Sequence, residues 1–280
     1  MHITKDIETL IDLAIYEDYI SGDPTTESLI DSSKTGSASV VSDQEGILAG
    51  IDIALFVFSK MSSSISTKAI LHDGVKLKKG SEIATIEGPL SSILTAERTA
   101  LNFLQLISGV ATETSKYVAE ISGTKSKIVD TRKTVPGFRR LQKYAVRIGG
   151  GKNHRHNLSD GILIKDNHIS AFGGSIGSTI DAAKKNSSHT LKIEIEVETL
   201  TQVQEALDAK ADIIMLDNMS TSMMSEAVKL CEGKAVTEAS GGVTLSTVRE
   251  IAETGVDIIS IGAITHSAPN LDISLDITSV

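Results

Sequence analysis

From Ser126 onward the sequence alternates between two kinds of segment. Apolar runs at 127–131, 161–165, 192–197, 212–217, 235–239 and 257–262 are separated by helix-patterned stretches near 138–147, 176–187, 200–210, 221–231 and 244–254. Short apolar runs separated by helices read as strands buried on both faces, and each helix returns the chain so that the next strand lies parallel to the last. Six such strands require a parallel sheet packed against helices. An open doubly wound sheet and an α/β barrel both satisfy this pattern. The barrel is favoured because chemically capable residues recur just after nearly every strand: Asp130-Thr131-Arg132-Lys133, Lys165-Asp166, Glu196, Asp217-Asn218, Ser240-Gly241-Gly242 and Ser260-Ile261-Gly262. Barrel sites are built at that end of the strands.

The preceding residues follow a different plan. Ile7, Leu10, Ile11, Leu13 and Ala14 fall at helical spacing, and Gly22 and Pro24 stop that helix. A β-rich stretch with glycine-containing turns follows, with residues 51–61 reading as a buried helix within it. From Leu94 a long helical pattern places Leu101, Leu104, Ile107 and Val110 on one face. The expected organisation is α/β, with an N-terminal domain over 1–108 and an α/β barrel over 109–280 whose last residues pack back on the first domain.

Composition excludes several classes. With 40% apolar and 22% charged residues the chain is neither disordered nor fibrous. One cysteine, Cys231, cannot form an internal disulfide or a cysteine-rich metal site, which favours a reducing compartment. The first ten residues carry acids where a signal peptide needs an apolar run, and the longest uncharged apolar stretch is only the six residues 53–58. A cytoplasmic location without a membrane span is therefore expected. The net charge of −9 argues against nucleic acid or anionic membrane as a partner. That average hides a contrast. Between Asp130 and His168 nine Lys or Arg face three Asp, so this segment carries +6 and the remainder −15.

In Ile193-Glu-Ile-Glu-Val-Glu198 a period of two puts Glu194, Glu196 and Glu198 on one face. On an isolated sheet that face meets solvent. Inside a barrel it meets the lumen, where carboxylates need cations or Mg²⁺. Asp217 is a second strand-end carboxylate, and it could equally cap the next helix. The small residues at 240–242 and 260–263 follow two successive strands, where backbone amides can face a phosphate or simply make a turn. Arg132-Lys133, His154-Arg155 and Lys165 border strand ends, whereas Arg139, Arg140, Lys143 and Arg147 suit the solvated face of one helix. The histidine spacing resembles no zinc motif, so zinc is not expected.

Taken together, the blocks at 96–112, 130–155, 160–169, 195–199, 213–218, 238–242 and 254–267, with Glu17-Asp18 to Thr26 before them, resemble the quinolinate phosphoribosyltransferases, which are type II phosphoribosyltransferases. The resemblance implies an N-terminal α/β sandwich plus an incomplete α/β barrel, in homodimers or larger assemblies whose partner subunit closes the site. It also implies phosphoribosyl transfer from 5-phosphoribosyl diphosphate (PRPP) to quinolinate with decarboxylation, giving nicotinate mononucleotide, diphosphate and CO₂. By the same resemblance Arg98, Thr131, Arg132, Lys133, His154, Arg155 and Lys165 form the site for the substrate anions. Glu196 and Asp217 hold ribose and Mg²⁺, directly or indirectly, and Ser240, Gly241, Gly242, Ile261, Gly262 and Ala263 hold the 5-phosphate. Lys133, Lys165, Glu196 and Asp217 are the implied catalytic group, with Mg²⁺ arriving on PRPP and no organic cofactor.

Two positions depart from the family pattern. Asn157 stands where the family has glycine, a tolerable exchange in a left-handed turn. Asp43 stands where the family carries a basic residue lent across the dimer interface to the substrate carboxylates. Asp43 thus leaves open a related phosphoribosyltransferase of the molybdate-transport-associated group, with another acceptor and the same PRPP half-site. A Schiff-base role for Lys165 and a nucleic-acid surface on the +6 segment are further alternatives, the latter disfavoured by the lack of interleaved aromatics.

Overall fold

The computed structural model describes residues 1–279. In chain order the elements are α1 (Lys5–Asp18), α2 (Pro24–Leu29), β1 (Thr35–Ser42), β2 (Gly46–Ile47), α3 (Ile51–Met61), β3 (Ser66–Ala69), β4 (Lys76–Leu77), β5 (Glu82–Pro89) and α4 (Leu90–Glu120). There follow β6 (Lys127–Val129), α5 (Arg139–Ile148), β7 (Ile162–Ile164), α6 (Asp166–Phe172), α7 (Ile176–Asn186), β8 (Ile193–Val197) and α8 (Leu200–Asp208). The last elements are β9 (Ile213–Asp217), α9 (Thr221–Cys231), β10 (Val236–Ser240), α10 (Val248–Glu253), β11 (Ile258–Ser260), α11 (Ala263–His266) and β12 (Ile273–Ser279). They form two compact units, one made of Met1–Glu113, Pro136–Gly149 and the chain from Ser267, the other of Thr114–Val135 and Gly150–His266. Residue 108, the boundary read from the sequence, falls inside α4.

The first unit is built on a four-stranded antiparallel sheet in the order β12-β1-β5-β3. Helix α3 buries Ile51, Ile53, Ala54, Val57 and Phe58, and each large aliphatic or aromatic side chain so removed from water contributes roughly 1.5–3 kcal/mol. Its start is fixed by Asp73, whose carboxylate accepts the Gly50 and Ile51 N–H groups at 2.9 and 3.1 Å and the Tyr144 hydroxyl at 2.5 Å. Helix α5 departs from the sequence expectation. Lys143, expected on a solvated face with Arg139, Arg140 and Arg147, is fully buried, because α5 is covered along Leu141, Gln142, Ala145 and Val146 as well.

The second unit is a six-stranded parallel sheet in the order β6-β11-β10-β9-β8-β7. Val129 and Ile162, from the two edge strands, line the same cavity as Ile213 and Ile258 from the middle of the sheet. The sheet is therefore curled into a barrel that is incomplete between β6 and β7. The glycine run 149–151 leads into Lys152, which bridges to Val129 and exchanges backbone hydrogen bonds with Ile128 (2.8 Å) and Asp130 (3.2 Å).

At the N-terminal ends of the strands Asp212 accepts from the Ile193 N–H and from Lys192, and Asp257 accepts from the Thr237 N–H and hydroxyl and from Lys125. Burial opposes ionisation of Asp212 and Asp257, but these bonds outweigh it and hold both carboxyls below the usual range. At the opposite ends, Thr199 and Gln202 cap the start of α8 reciprocally. Helix α10 starts later than the sequence pattern, because the Thr247 hydroxyl accepts the Thr244 N–H at 3.0 Å and holds residues 244–247 in a turn. Among the described residues no helix is long and apolar enough to cross a membrane.

Candidate active site

The parallel register brings one set of side chains to one edge of the barrel. Asp217 pairs with Ser240 across β9 and β10, and Val197 with Leu216 across β8 and β9, so Glu196, Asp217 and Ser240 all lie at the C-terminal ends of adjacent strands. Lys165, just past β7, forms an ion pair with Glu196. Its backbone N–H donates to His168 Nδ1 at 2.9 Å, which fixes the start of α6. Asp217 accepts the Asn218 side-chain amide at 2.7 Å. Asn218 itself is left-handed at φ 52°, and its N–H continues the ladder to the Ser240 carbonyl at 3.0 Å.

The two glycines after β10 differ. Gly241 has φ +92°, and a Cβ there would lie 2.2 Å from Asn218 Oδ1, so its smallness serves the Asn218 turn. Gly242 has φ +59° and open space where a Cβ would be, so its backbone can be approached from outside. After β11, a Cβ on Gly262 would meet Lys133 Cδ at 3.1 Å and the His266 ring at 3.3 Å. The Thr265 hydroxyl donates to the Lys133 carbonyl at 2.7 Å, and the Lys133 N–H donates to the Thr131 hydroxyl at 3.0 Å. The Thr131-Arg132-Lys133 turn is thereby held against Gly262 and Thr265 at the start of α11, with the Ile261 N–H bonded to the Val129 carbonyl at 3.0 Å.

A second set lies deeper in the barrel, around Glu194 near the start of β8 and Glu238 in the middle of β10. Asp130, fully buried, accepts the His154 N–H at 2.8 Å and the Asn153 side-chain amide at 2.7 Å, tying the loop that carries Arg155 to the end of β6. His154 Nε2 lies 3.2 Å from Glu194 and 3.5 Å from Glu238, both buried. Desolvation works against protonation of this ring, but the two carboxylates outweigh it and push its pKa up to about 10. The Arg155 N–H donates to Nδ1 at 2.7 Å and favours the singly protonated ring instead. Nε2 carries a proton in both forms, so its role as donor is the same. Glu194 is raised, chiefly by burial. Arg155 donates to the Gly161 carbonyl at 3.2 Å, and His154, Arg155, Glu194 and Glu238 line a cavity of about 390 Å³.

The residues singled out in the sequence therefore fall into three places. Lys165, Glu196, Asp217, Ser240 to Gly242 and Ile261 to Ala263 occupy strand ends, with Thr131 to Lys133 beside them. His154 and Arg155 line the deeper cavity, and Arg98 is exposed on α4 in the first unit. Sequence reasoning passed over Glu238, and it named Asp130 among the strand-end residues and Asn153 within the 153–155 run without a role for either. The signal for Glu238 was a single acid inside the otherwise uncharged strand β10.

The residues from 23 to 108 match the N-terminal domain of quinolinate phosphoribosyl transferase, and those from 110 to 276 match its C-terminal domain. The chain belongs to the quinolinate phosphoribosyltransferase family. Among its relatives, a probable carboxylating nicotinate-nucleotide pyrophosphorylase of Bacillus subtilis is 43% identical over 97% of this chain and 93% of its own length. The nicotinate-nucleotide pyrophosphorylase structure from Francisella tularensis superposes with a TM-score of 0.93 at 42% identity, covering 98% of this chain and 96% of that one. That from Ehrlichia chaffeensis gives 0.93 at 42% identity, covering 99% and 100%. Membership in this family agrees with the sandwich-plus-incomplete-barrel architecture implied by the sequence blocks.

Proposed function

We propose that the protein transfers the phosphoribosyl group of PRPP to quinolinate and releases CO₂, forming nicotinate mononucleotide and diphosphate. The observation that carries this reading is the meeting, at one end of the barrel, of two strand-end carboxylates with an approachable glycine turn and a cationic group: Glu196 and Asp217, Gly242, Lys133 and Lys165. Full-length matches to relatives of that name favour it over the molybdate-associated alternative.

The pyridine nitrogen forms a bond to ribose C1 as the C1–O bond to diphosphate breaks, the electron pair leaving with diphosphate. The sugar passes through a cation-like state, which Glu196 and Asp217 stabilise as fixed negative charges. Lys133, Arg132 and Lys165 hold the departing diphosphate, and amides at Ser240 to Gly242 and Ile261 to Ala263 receive the 5-phosphate. The ring's C2–carboxylate bond then breaks, its pair held next to the positive ring nitrogen until C2 takes a proton from water. Glu196 and Asp217 offer hard oxygen donors of the kind Mg²⁺ selects, at neighbouring strand ends, and would hold it. Bound there, Mg²⁺ supplies charge neutralisation for diphosphate. Arg155 takes an acceptor carboxylate, with His154 bound to its backbone N–H. The working form is a cytoplasmic homodimer or larger, in which exposed Arg98 completes a partner subunit's site.

The test is formation of nicotinate mononucleotide from quinolinate and PRPP, with and without Mg²⁺. Consumption of PRPP only with another acceptor would overturn the assignment, and full turnover in excess chelator would remove the metal role.

A further inference from the structure

Glu194 and Glu238 present a difficulty for any site that receives an anionic acceptor. They are 4% and 1% exposed, and they face the cavity that Arg155 lines. Two buried carboxylates beside a dianionic substrate would repel it unless they do something else. Both face the proton-bearing Nε2 of His154: Glu194 through Oε2 at 3.2 Å, leaving its Oε1 without a hydrogen-bond partner, and Glu238 through Oε1 at 3.5 Å, an ion pair without hydrogen-bond geometry. The donor atoms of His154, Glu194 and Glu238 all lie within 4.8 Å of one another, close enough to bracket a metal ion. The cluster already has its own cations, however: the imidazole N–H between the acids and the Arg155 guanidinium, whose charge both carboxylates feel.

The other side of the ring shows what the clamp achieves. His154 Nδ1 accepts the Arg155 N–H, while Asp130 accepts the His154 N–H. The ring is thus bound at both nitrogens, and the backbone of Arg155 is bound to the ring. We propose that Glu238, with Glu194, is a positioning residue that clamps His154 and through it sets Arg155 to receive a carboxylate of the acceptor. This rests on quinolinate being the acceptor and deepens that reading.

Charge alone and positioning make opposite forecasts. Removing a buried negative charge should by electrostatics tighten binding of a dianion. Releasing Arg155 should weaken it. Glu238→Gln is therefore expected to raise the KM for quinolinate about tenfold, the scale of one misplaced charge-assisted bond, while kcat and the KM for PRPP stay within about threefold. His154→Gln should give a similar rise, and the double variant little more than the larger single one, because the three residues act as a unit. Glu238→Asp keeps the charge but withdraws it from Nε2, and should move KM in the same direction if Glu238→Gln folds poorly. An unchanged or lower quinolinate KM in these variants, or an equal rise for PRPP, overturns the proposal.

A second readout does not depend on the acceptor. In nitrogen-15 spectra of His154, the Nε2–H signal should be slow to exchange in the wild type and fast in Glu238→Gln or Glu238→Asp. A signal equally protected in the variants overturns the clamp. Failure of the wild type to use quinolinate overturns the acceptor assignment, with the spectra still deciding the clamp.

Discussion

Glu194 and Glu196 sit two residues apart on the same face of β8, roughly 6.6 Å along the strand, and the barrel treats them in opposite ways. Glu194, deeper in the barrel, is buried and faces the ring N–H of His154 together with Glu238. Glu196, near the C-terminal end of the strand, pairs with the ammonium of a half-exposed lysine, Lys165. The same residue type on the same strand is neutralised internally at one level and left available at the other. Depth within the barrel, more than residue chemistry, decides which acids can act on a substrate.

That contrast breaks most sharply at the open end. Glu196→Ala or Asp217→Ala should lower kcat about 10²-fold with the fold retained, since each removes charge aimed at the developing sugar cation. Rates within threefold of wild type would mean that the open-end acids are as passive as Glu194. Next in size, Gly241→Ala should destabilise by about 2–3 kcal/mol, because φ +92° and the Asn218 contact at 2.2 Å act together. Gly242→Ala should cost only about 1 kcal/mol, having strain without collision. Chemical denaturation of the pair checks the order, and equal losses would refute the distinction between the two glycines. Lys133→Ala should lower kcat/KM about tenfold through loss of one charge-assisted bond. Steady-state kinetics with PRPP varied would reveal it, and no change would remove Lys133 from the diphosphate site.

The smallest effect belongs to the deeper cluster. The His154 pKa is raised from 6.5 to about 10 on folding. The stabilisation this represents is complete below the unfolded value and fades as pH rises toward the folded one. Melting temperature should therefore decline between about pH 6.5 and 10, and decline less in His154→Gln. Identical slopes would show that the ring does not hold its extra proton.

Much of this arrangement was legible in the chain. The apolar runs located all six barrel strands, and the buried helix read at 51–61 is α3 with the same limits. Open-end acids were legible because a period of two and a strand end are local properties. The deeper cluster was not, because residues 154, 194 and 238 meet only through the curl of the sheet, which no local spacing encodes. Lys143 misled for a related reason: helical periodicity separates faces but does not say how many of them are covered. The position of Gly241 depends on the left-handed turn of Asn218 on a neighbouring strand, again beyond the reach of its own sequence neighbours.

Strand β12 leaves a mark on how the molecule must be made. It pairs along nearly the whole length of β1, though β1 ends at residue 42 and β12 begins at residue 273. On a ribosome adding roughly 5–20 residues per second, that separation amounts to roughly ten to fifty seconds. Throughout that interval β1 has emerged while its outer partner does not yet exist, and an unpaired strand edge invites foreign strands. Barrel strands β7 to β10, by contrast, each wait only for the next strand in the chain, and β6 alone waits for the distant β11. A ribosome stalled within the last barrel strands would thus hold out a nearly finished barrel behind a first unit with an open edge, and that edge is where protection from foreign strands would be needed most.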